Sequence, residues 1–217
     1  MKARVDAIIQ RDQAEYLDGL HVQTDLLLRE MEEYAAVHRV PIADREVARF
    51  LEITARAIGA KRVLEIGMAI GYSVIHLARG MGDYGTVVTI EPNDEMIQAA
   101  TAFLQRSLYG DRVQLARGKA LEVMPNFVEM YDLLYIDAVK EEYKQYLDLG
   151  LPRLREGGVV IVDNLLWGGR VAQPASANDE SSTVALREFN HYFINHPQLR
   201  SEILSVGDGL GYAVKLY

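Results

Sequence analysis

The chain has no cysteine and a single tryptophan among its 217 residues, and its acidic side chains outnumber the basic ones. The lack of cysteine excludes disulfides and thiolate metal sites, and it is compatible with a cytoplasmic location. No run of 18 apolar residues occurs, so no membrane-spanning helix is expected. A net charge of −8 disfavours a broad nucleic-acid-binding surface. We therefore expect a cytoplasmic protein without a membrane partner.

Composition and length indicate one ordinary folded domain. Apolar residues make up 49% of the sequence and charged residues 25%, which is typical of globular proteins. A chain of this length can bury one sizeable core without requiring a second domain. We expect a single domain over residues 1–217, with N-terminal helices in residues 1–60 and the main core in residues 61–217.

The first sixty residues are predicted to be helical. Residues 1–22 show a helical pattern with polar interruptions. Thr24 is placed to cap a second helix that runs to His38, and Asp44 to cap a third helix that Gly59 ends. The apolar stripes of these helices are more typical of core packing than of a ligand site.

Short apolar segments and helical segments alternate regularly after residue 61. The strands lack alternating polar residues, as expected for parallel strands buried on both faces. Two strand-like runs around GDGLG indicate an antiparallel hairpin after a loop at 164–180, and Asn93 is expected to cap its helix. The pattern predicts a Rossmann-like, doubly wound α/β fold with a mostly parallel seven-stranded sheet, an antiparallel C-terminal strand pair and extra N-terminal helices. Strands are predicted at 62–67, 85–91, 112–116, 131–137 and 158–163, and helices at 71–79, 93–107, 119–128, 140–149 and 182–195.

The segment RVLEIGMAIGYS has the pattern of a strand, a turn of small residues and a helix start. The turn from Gly67 to Gly71 would let a ligand approach bare backbone at a helix N-terminus, where unpaired N–H groups point outward. Glu91 ends the next strand twenty residues later, where an acidic residue contacts ribose hydroxyls in nucleotide-binding βαβ units. The spacing G-x-x-x-G differs from the dinucleotide pattern G-x-G-x-x-G, which favours a nucleoside ligand without phosphates. An ordinary turn with an unrelated acid after it is the alternative.

Oxygen-bearing side chains end two later strands. Asp137 follows the strand in YIDAVK, and Asp163 and Asn164 follow the strand in VIVDN. We expect these side chains at the carboxyl edge of the sheet, beside the ligand crevice. Two carboxylates and one amide form an all-oxygen donor set that suits a hard cation such as Mg²⁺. Each residue taken alone could instead cap a loop or a helix, as Asp and Asn often do.

Two residues near this donor set are candidates for chemistry on a substrate. Lys140 lies three residues after Asp137 at a helix start, where a nearby metal would favour its neutral form and make it a general base. A solvated surface lysine is the alternative. Trp167 lies in the long loop, where it could form a wall for a planar substrate or simply attach the loop to the core.

Five stretches occur together in segment 62–217: VLEIGMAIGYS, VTIEPN, YIDAVKEEY, VVIVDNLLWGG and VGDGL. In this combination the segment resembles the class I, metal-dependent O-methyltransferases that use S-adenosylmethionine, the group that contains catechol and caffeoyl-CoA O-methyltransferases. The resemblance implies an enzyme with S-adenosylmethionine as cofactor, with Mg²⁺ or a similar divalent cation, and with a homodimeric assembly.

The same resemblance implies roles for individual residues. Asp137, Asp163 and Asn164 would bind Mg²⁺, and Lys140 would deprotonate the acceptor hydroxyl near Trp167. Lys119, in RGKALE, departs from the family, in which an acid or a small polar residue commonly lies beside the adenine. Cofactor contacts are assigned to Glu65, Gly67 and Ser73 at the methionine end, to Glu91 at the ribose, and to Gly71, Gly118, Ala120 and Asp137.

The implied acceptor is a small aromatic molecule with two adjacent hydroxyls, of which one is methylated. The NHP and VGDGL stretches also resemble bacterial enzymes that methylate 5-hydroxyuridine at the tRNA wobble position, and such a base offers a metal two adjacent oxygens as well. The net charge of −8 favours the small aromatic acceptor. An NAD-linked dehydrogenase would need the dinucleotide glycine pattern, and a non-catalytic binding module would be expected to lack Lys140 or the metal ligands.

Overall fold

The computed structural model describes residues 11–20 and 24–217, and a seven-stranded sheet forms its centre. The strand order is β3-β2-β1-β4-β5-β7-β6; β1 to β5 are parallel, and β7 runs antiparallel to both of its neighbours. The predicted doubly wound sheet with an antiparallel C-terminal pair is therefore confirmed. The strands are β1 (Arg62–Ile66), β2 (Thr86–Glu91), β3 (Val113–Arg117), β4 (Tyr131–Ile136), β5 (Leu154–Val162), β6 (Leu199–Leu204) and β7 (Leu210–Lys215).

The strand order reverses at β1, because β2 and β3 lie on one side of it while β4 and β5 lie on the other. Chain connections therefore leave the carboxyl ends of β1 and β4 in opposite directions. This divergence opens a crevice outside the strand ends, the usual ligand position in open α/β sheets.

Helices cover both faces of the sheet. Val63 and Leu133 belong to the apolar cluster on one face, with residues of α2 to α5, whereas Leu64 and Leu134 belong to the cluster on the other face, with residues of α6 to α8. Burial on both sides explains why these strands read as continuous apolar runs. The described helices are α1 (Arg11–Leu20), α2 (Leu26–His38), α3 (Arg45–Ala57), α4 (Tyr72–Gly80), α5 (Asp94–Arg106), α6 (Ala120–Val123), α7 (Tyr143–Gly150) and α8 (Ser181–Ile194).

One predicted helix cap is wrong and another is confirmed. Asp25, and not Thr24, caps α2: its carboxylate accepts hydrogen bonds from the amides of Leu27 and Leu28 at 2.9 and 3.3 Å. Both residue types are good caps, and the choice depends on where the chain turns into the helix. Asn93 caps α5 as predicted.

Two predicted element boundaries need correction. The helix predicted at 119–128 ends at Val123 and continues only as a 3₁₀ turn, because Pro125 lacks an amide proton and clashes with a preceding helical turn. Strand β5 begins at Leu154 and not at 158, since an irregular register opposite β4 carries the strand through Gly157.

The structure describes only part of the helical pattern predicted over residues 1–22. Residues 11–20 form α1, whereas the rest of the helical pattern predicted over 1–22 falls on residues 1–10 and 21–22, which lie outside the described residues. No helix in the part of the chain that the structure describes is long and apolar enough to cross a membrane.

Candidate functional site

The glycine turn after β1 is fixed against the end of β4. Gly67 has a φ of +99°, and a Cβ there would lie 2.0 Å from the carbonyl oxygen of Asp137, which only glycine avoids. The amide of Asp137 donates to the carbonyl of Ile66 at 2.9 Å. The backbone at the two strand ends is thus in close contact, as a cradle for a ligand requires.

The Glu91 carboxylate lies directly over this turn. Its two oxygens accept hydrogen bonds from the amides of Ala69 and Asn93, at 3.0 and 2.9 Å, and the side chain is buried. Gly71, with a φ of +86°, precedes the first residue of α4. The turn, the helix start and the acidic residue that the sequence brought together by spacing therefore meet in space.

A buried carboxylate lies beneath the turn. Glu65 is fully buried on β1, and the Thr89 hydroxyl donates to its Oε2 at 2.5 Å. Burial raises the pKa of Glu65 to about 7, against the opposing effect of the Ser73 and Thr89 hydroxyls. Its Oε1 accepts no hydrogen bond of good geometry from the described residues. A buried acceptor without a donor is costly, and it fits a bound ligand that carries an ammonium group.

The far end of the crevice is formed by backbone after β3. Gly118 has a φ of +142° and donates its amide to the carbonyl of Glu91 at 3.1 Å. Ala120, the first residue of α6, is buried, whereas the side chain of Lys119 is exposed. The structure thus brings Gly118 beside Glu91 and leaves the unusual Lys119 directed mainly to solvent.

Lys140 forms hydrogen bonds to oxygen-bearing side chains that follow two different strands. Its Nζ donates to Oδ1 of Asp137 at 2.8 Å and to Oδ1 of Asn164 at 2.7 Å. Only 11% of its side chain is exposed, so the surface-lysine alternative is wrong. The positively charged group of Lys140 thus lies between the oxygens of Asp137 and Asn164, which shows that this pair of oxygens fits a positive charge.

Asp163 completes the set from a more buried position. Its Oδ1 accepts from the amide of Asn164 at 2.7 Å, and its Oδ2 accepts from the hydroxyl of Tyr135 at 3.0 Å. Burial raises the pKa of Asp163 to about 7, and repulsion from Asp137 adds to the shift. A divalent cation would offset both effects. The described residues contain no group of three His, Cys, Asp or Glu side chains placed to hold a metal ion, so a cation at this position would need Asn164 as a third donor.

Sequence reasoning missed the two tyrosines that support Asp163. Tyr135 lies on β4 and Tyr143 begins α7, and the Tyr143 hydroxyl donates to the backbone carbonyl of Asp163 at 3.2 Å. Both side chains are fully buried. A tyrosine in an otherwise apolar buried strand needs a partner for its hydroxyl, and this was the available signal.

Trp167 borders the same site at the start of the lid loop, the name used here for residues 164–180. The Nζ of Lys140 lies 5.8 Å from the centre of its ring, and the guanidinium of Arg170 lies 4.8 Å from it on the loop. The backbone of Trp167 has a φ of +50°, an uncommon value for a bulky residue. The indole is therefore held beside Lys140, where it can contact a planar ligand.

Comparisons with known proteins agree with this geometry. The family model described as O-methyltransferase matches residues 19–216. The catechol O-methyltransferase of Mycobacterium tuberculosis is 36% identical over 186 residues, which is 83% of each chain. The probable caffeoyl-CoA O-methyltransferase 2 of Dictyostelium discoideum is 29% identical over 182 residues, which is 82% of this chain and 78% of the relative.

Solved structures share the fold over nearly the whole chain. An O-methyltransferase from Bacillus cereus, crystallised in complex with SAH, superposes with a TM-score of 0.84 at 29% identity. The match covers 93% of this chain and 96% of the Bacillus cereus chain. The similarity therefore includes the strand ends that carry the site, and not only the sheet.

Proposed function

Because the chain belongs to the O-methyltransferase family of S-adenosylmethionine-dependent enzymes, we propose that it methylates one hydroxyl of a small aromatic acceptor with two adjacent hydroxyls. The observation that carries this proposal is the position of Lys140, whose Nζ lies between Asp137 and Asn164 and near the ring of Trp167. A base, two cation-binding oxygens and a flat apolar wall are what such an acceptor requires.

The glycine turn supports the binding of S-adenosylmethionine. Glu91, buried over the turn, would accept hydrogen bonds from the ribose hydroxyls in addition to those from the amides of Ala69 and Asn93. Glu65 offers its unpaired Oε1 to the ammonium of the methionine part. Gly67 lets the turn lie against the backbone of Asp137, where a Cβ would collide, and Gly118, whose amide donates to the carbonyl of Glu91, would lie on the adenine side of Glu91.

The donor set supports a divalent cation such as Mg²⁺. Asp137, Asp163 and Asn164 would hold it, with the acceptor oxygens or water as the remaining ligands. When bound, the cation supplies a Lewis acid that lowers the pKa of an acceptor hydroxyl. Tyr135 donates to the carboxylate of Asp163 and Tyr143 to its backbone carbonyl, so the two tyrosines keep this residue in place from behind.

Lys140 is proposed to take the proton from the acceptor. Its Nζ donates to Asp137 and Asn164 in this structure, and it would leave these oxygens when they hold a divalent cation, so that the amine could accept the proton of the acceptor hydroxyl. Trp167 would hold the acceptor ring beside the amine. The acceptor oxygen then forms its bond to the methyl carbon while the bond from carbon to sulfur breaks, a displacement that depends mainly on positioning.

The charge of the site favours a small acceptor over tRNA. Arg187 donates to the backbone carbonyls of Arg170, Val171 and Gln173 and pairs with Asp179 at 2.5 Å, so its guanidinium is committed to the lid loop. Arg170 pairs with Glu180 at 3.3 Å. Each arginine therefore already has a carboxylate partner that a phosphate group would have to replace.

Carboxylates near the site add to this preference. Burial raises the pKa of Asp44, and repulsion from Glu46, Asp208 and Asp137 adds to the shift, which shows that Asp44 experiences a negative field. A polyanion approaching this side of the site would be repelled. A neutral or cationic aromatic would not be.

Methyl transfer from S-adenosylmethionine to catechol, to a caffeoyl-CoA thioester and to hydroxyuridine-containing tRNA tests the proposal, with Mg²⁺ present and at two salt concentrations. We expect the highest kcat/KM with catechol, and a rate about 10²- to 10⁴-fold lower in the Lys140→Met variant. Efficient tRNA methylation that weakens steeply with salt, beside feeble catechol turnover, would overturn the choice of acceptor.

A further inference from the structure

The hairpin turn between β6 and β7, residues 205–209, contains Asp208 of the stretch VGDGL, residues 206–210, and this side chain has no role in the reaction proposed above. We propose that Asp208 in this turn is a positioning residue that holds Trp167 against the acceptor side of the site. The hydrogen bonds between the lid loop and this turn, called the clamp below, are a feature of the structure. The role of Trp167 as a wall for the acceptor rests on the proposed function.

Three backbone amides at the start of the lid loop donate to this turn. The amide of Leu165 donates to the carbonyl of Gly209 at 2.8 Å, and the amide of Leu166 donates to the carbonyl of Asp208 at 2.9 Å. The amide of Gly168 reaches both carboxylate oxygens of Asp208, at 2.8 and 2.9 Å. Asp208 therefore binds the lid loop on both sides of Trp167.

The close approach explains the glycine after Asp208. A Cβ at Gly209 would lie 2.4 Å from Cγ and 2.8 Å from the backbone nitrogen of Leu166, so a larger residue would push the lid loop away. Gly209 also has a φ of +86°, a value that favours glycine. The sequence of the turn is thus fitted to contact with the lid loop as well as to the reversal of the hairpin.

The backbone that Asp208 holds is otherwise unfavourable. Trp167 and Asn164 have φ values of +50° and +62°, and a bulky aromatic residue rarely adopts such a conformation without support. Within the lid loop, the Trp167 amide donates to the carbonyl of Asn164 at 3.2 Å. The carboxylate of Asp208 accepts a charge-assisted, bifurcated hydrogen bond from the amide of the next residue, Gly168, which stabilises the backbone that carries the indole.

Trp167 is the only tryptophan of the chain, so its fluorescence reports on this single position. The test compares Asp208→Ala with Asp208→Asn, which keeps one oxygen to accept from Gly168. Glu202→Gln is the matched control, because it removes a carboxylate from the same hairpin, where Glu202 is exposed on β6. Each variant is measured for tryptophan emission and acrylamide quenching, for KM and kcat with catechol, and for affinity towards S-adenosylhomocysteine.

In Asp208→Ala we expect emission at longer wavelength, stronger quenching and a catechol KM raised about tenfold, which corresponds to about 1.4 kcal/mol of lost binding. Affinity for S-adenosylhomocysteine should stay at the wild-type value, since the glycine turn is untouched. Asp208→Asn should lie between wild type and Asp208→Ala, and Glu202→Gln should equal wild type.

Unchanged quenching in Asp208→Ala would overturn the clamp, whatever acceptor the enzyme uses. Altered quenching with an unchanged acceptor KM would overturn the link from the clamp to acceptor binding. Equal losses of acceptor and S-adenosylhomocysteine binding would indicate general disruption and also count against a positioning role. If Asp208→Ala does not fold, Asp208→Asn decides by the same measurements, and failure of every acceptor would affect the proposed function but not the fluorescence result.

Discussion

Replacement of Lys140 by methionine keeps the length of the side chain and removes the amine. General-base catalysis contributes about 10²- to 10⁴-fold to a rate. At about 1.36 kcal/mol for each factor of ten, this corresponds to roughly 2.7–5.5 kcal/mol of activation free energy. We expect a decrease of that size in the rate of methyl transfer. Single-turnover kinetics with saturating acceptor would isolate this step from product release.

The same variant has a second expected effect that separates the base from the metal. The Nζ of Lys140 now donates to the oxygens of Asp137 and Asn164, at 2.8 and 2.7 Å, and an incoming cation must displace it. Without the amine, affinity for Mg²⁺ measured by calorimetry should be equal to wild type or higher. Lost activity with retained metal binding would therefore point to proton transfer, and not to a damaged site.

Lys144→Met is the matched control. Lys144 is exposed on α7, four residues from Lys140, and pairs with Asp148 at 2.6 Å, so its removal changes the net charge equally without touching the site. Lys144→Met should keep its turnover. An undiminished rate for Lys140→Met at neutral pH would refute the reasoning and would mean that the metal alone ionises the acceptor.

Three further changes test the remaining parts of the site. Asp163→Asn keeps an acceptor for Tyr135 but loses the charge, so turnover should collapse, as it also should in wild type with excess chelator; undiminished methyl transfer in chelator would contradict the metal assignment. Glu91→Gln should weaken S-adenosylhomocysteine binding about tenfold, because a charged acceptor becomes neutral; calorimetry with an unchanged dissociation constant would remove Glu91 from the site. The pKa of Glu65 is raised to about 7, so the neutral acid is favoured on folding, and stability present below its ordinary pKa is lost as the pH rises towards 7. Urea unfolding at pH 5 and pH 8 should therefore show wild type losing up to about 3 kcal/mol relative to Glu65→Gln, and parallel profiles would contradict this.

The sheet was predictable from the sequence because its signals are local and agree with one another. Short apolar strands, a glycine turn and a capping asparagine at Asn93 each specify the same βα units. The cap of α2 was missed, since Thr24 and Asp25 are adjacent and both residue types occur as N-caps, although aspartate is the stronger of the two. The start of β5 was also missed, because Gly157 reads as a turn until pairing with β4 carries the strand through it.

The grouping of the candidate residues at one edge of the sheet was predictable from the sequence, whereas their contacts were not. Asp137 and Asn164 could be placed at one edge, because the carboxyl ends of parallel strands meet there. The bridge that Lys140 forms between them depends on side-chain directions across two strands. The same is true of the support that Tyr135 gives to Asp163 from behind. Such distances become fixed only when the sheet has twisted and packed.

Asn164 has to meet two unrelated demands with one side chain, and this restricts how the position can vary. Its φ of +62° suits glycine, asparagine and aspartate, whereas its oxygen is bound to the amine of Lys140. Glycine would keep the backbone and lose the oxygen, and glutamine would keep an oxygen on a strained backbone. Aspartate would meet both demands but would add a third negative charge beside Asp137 and Asp163. Few substitutions at residue 164 should therefore be tolerated. A related protein with a different residue there should also have a compensating change of charge among the neighbouring residues.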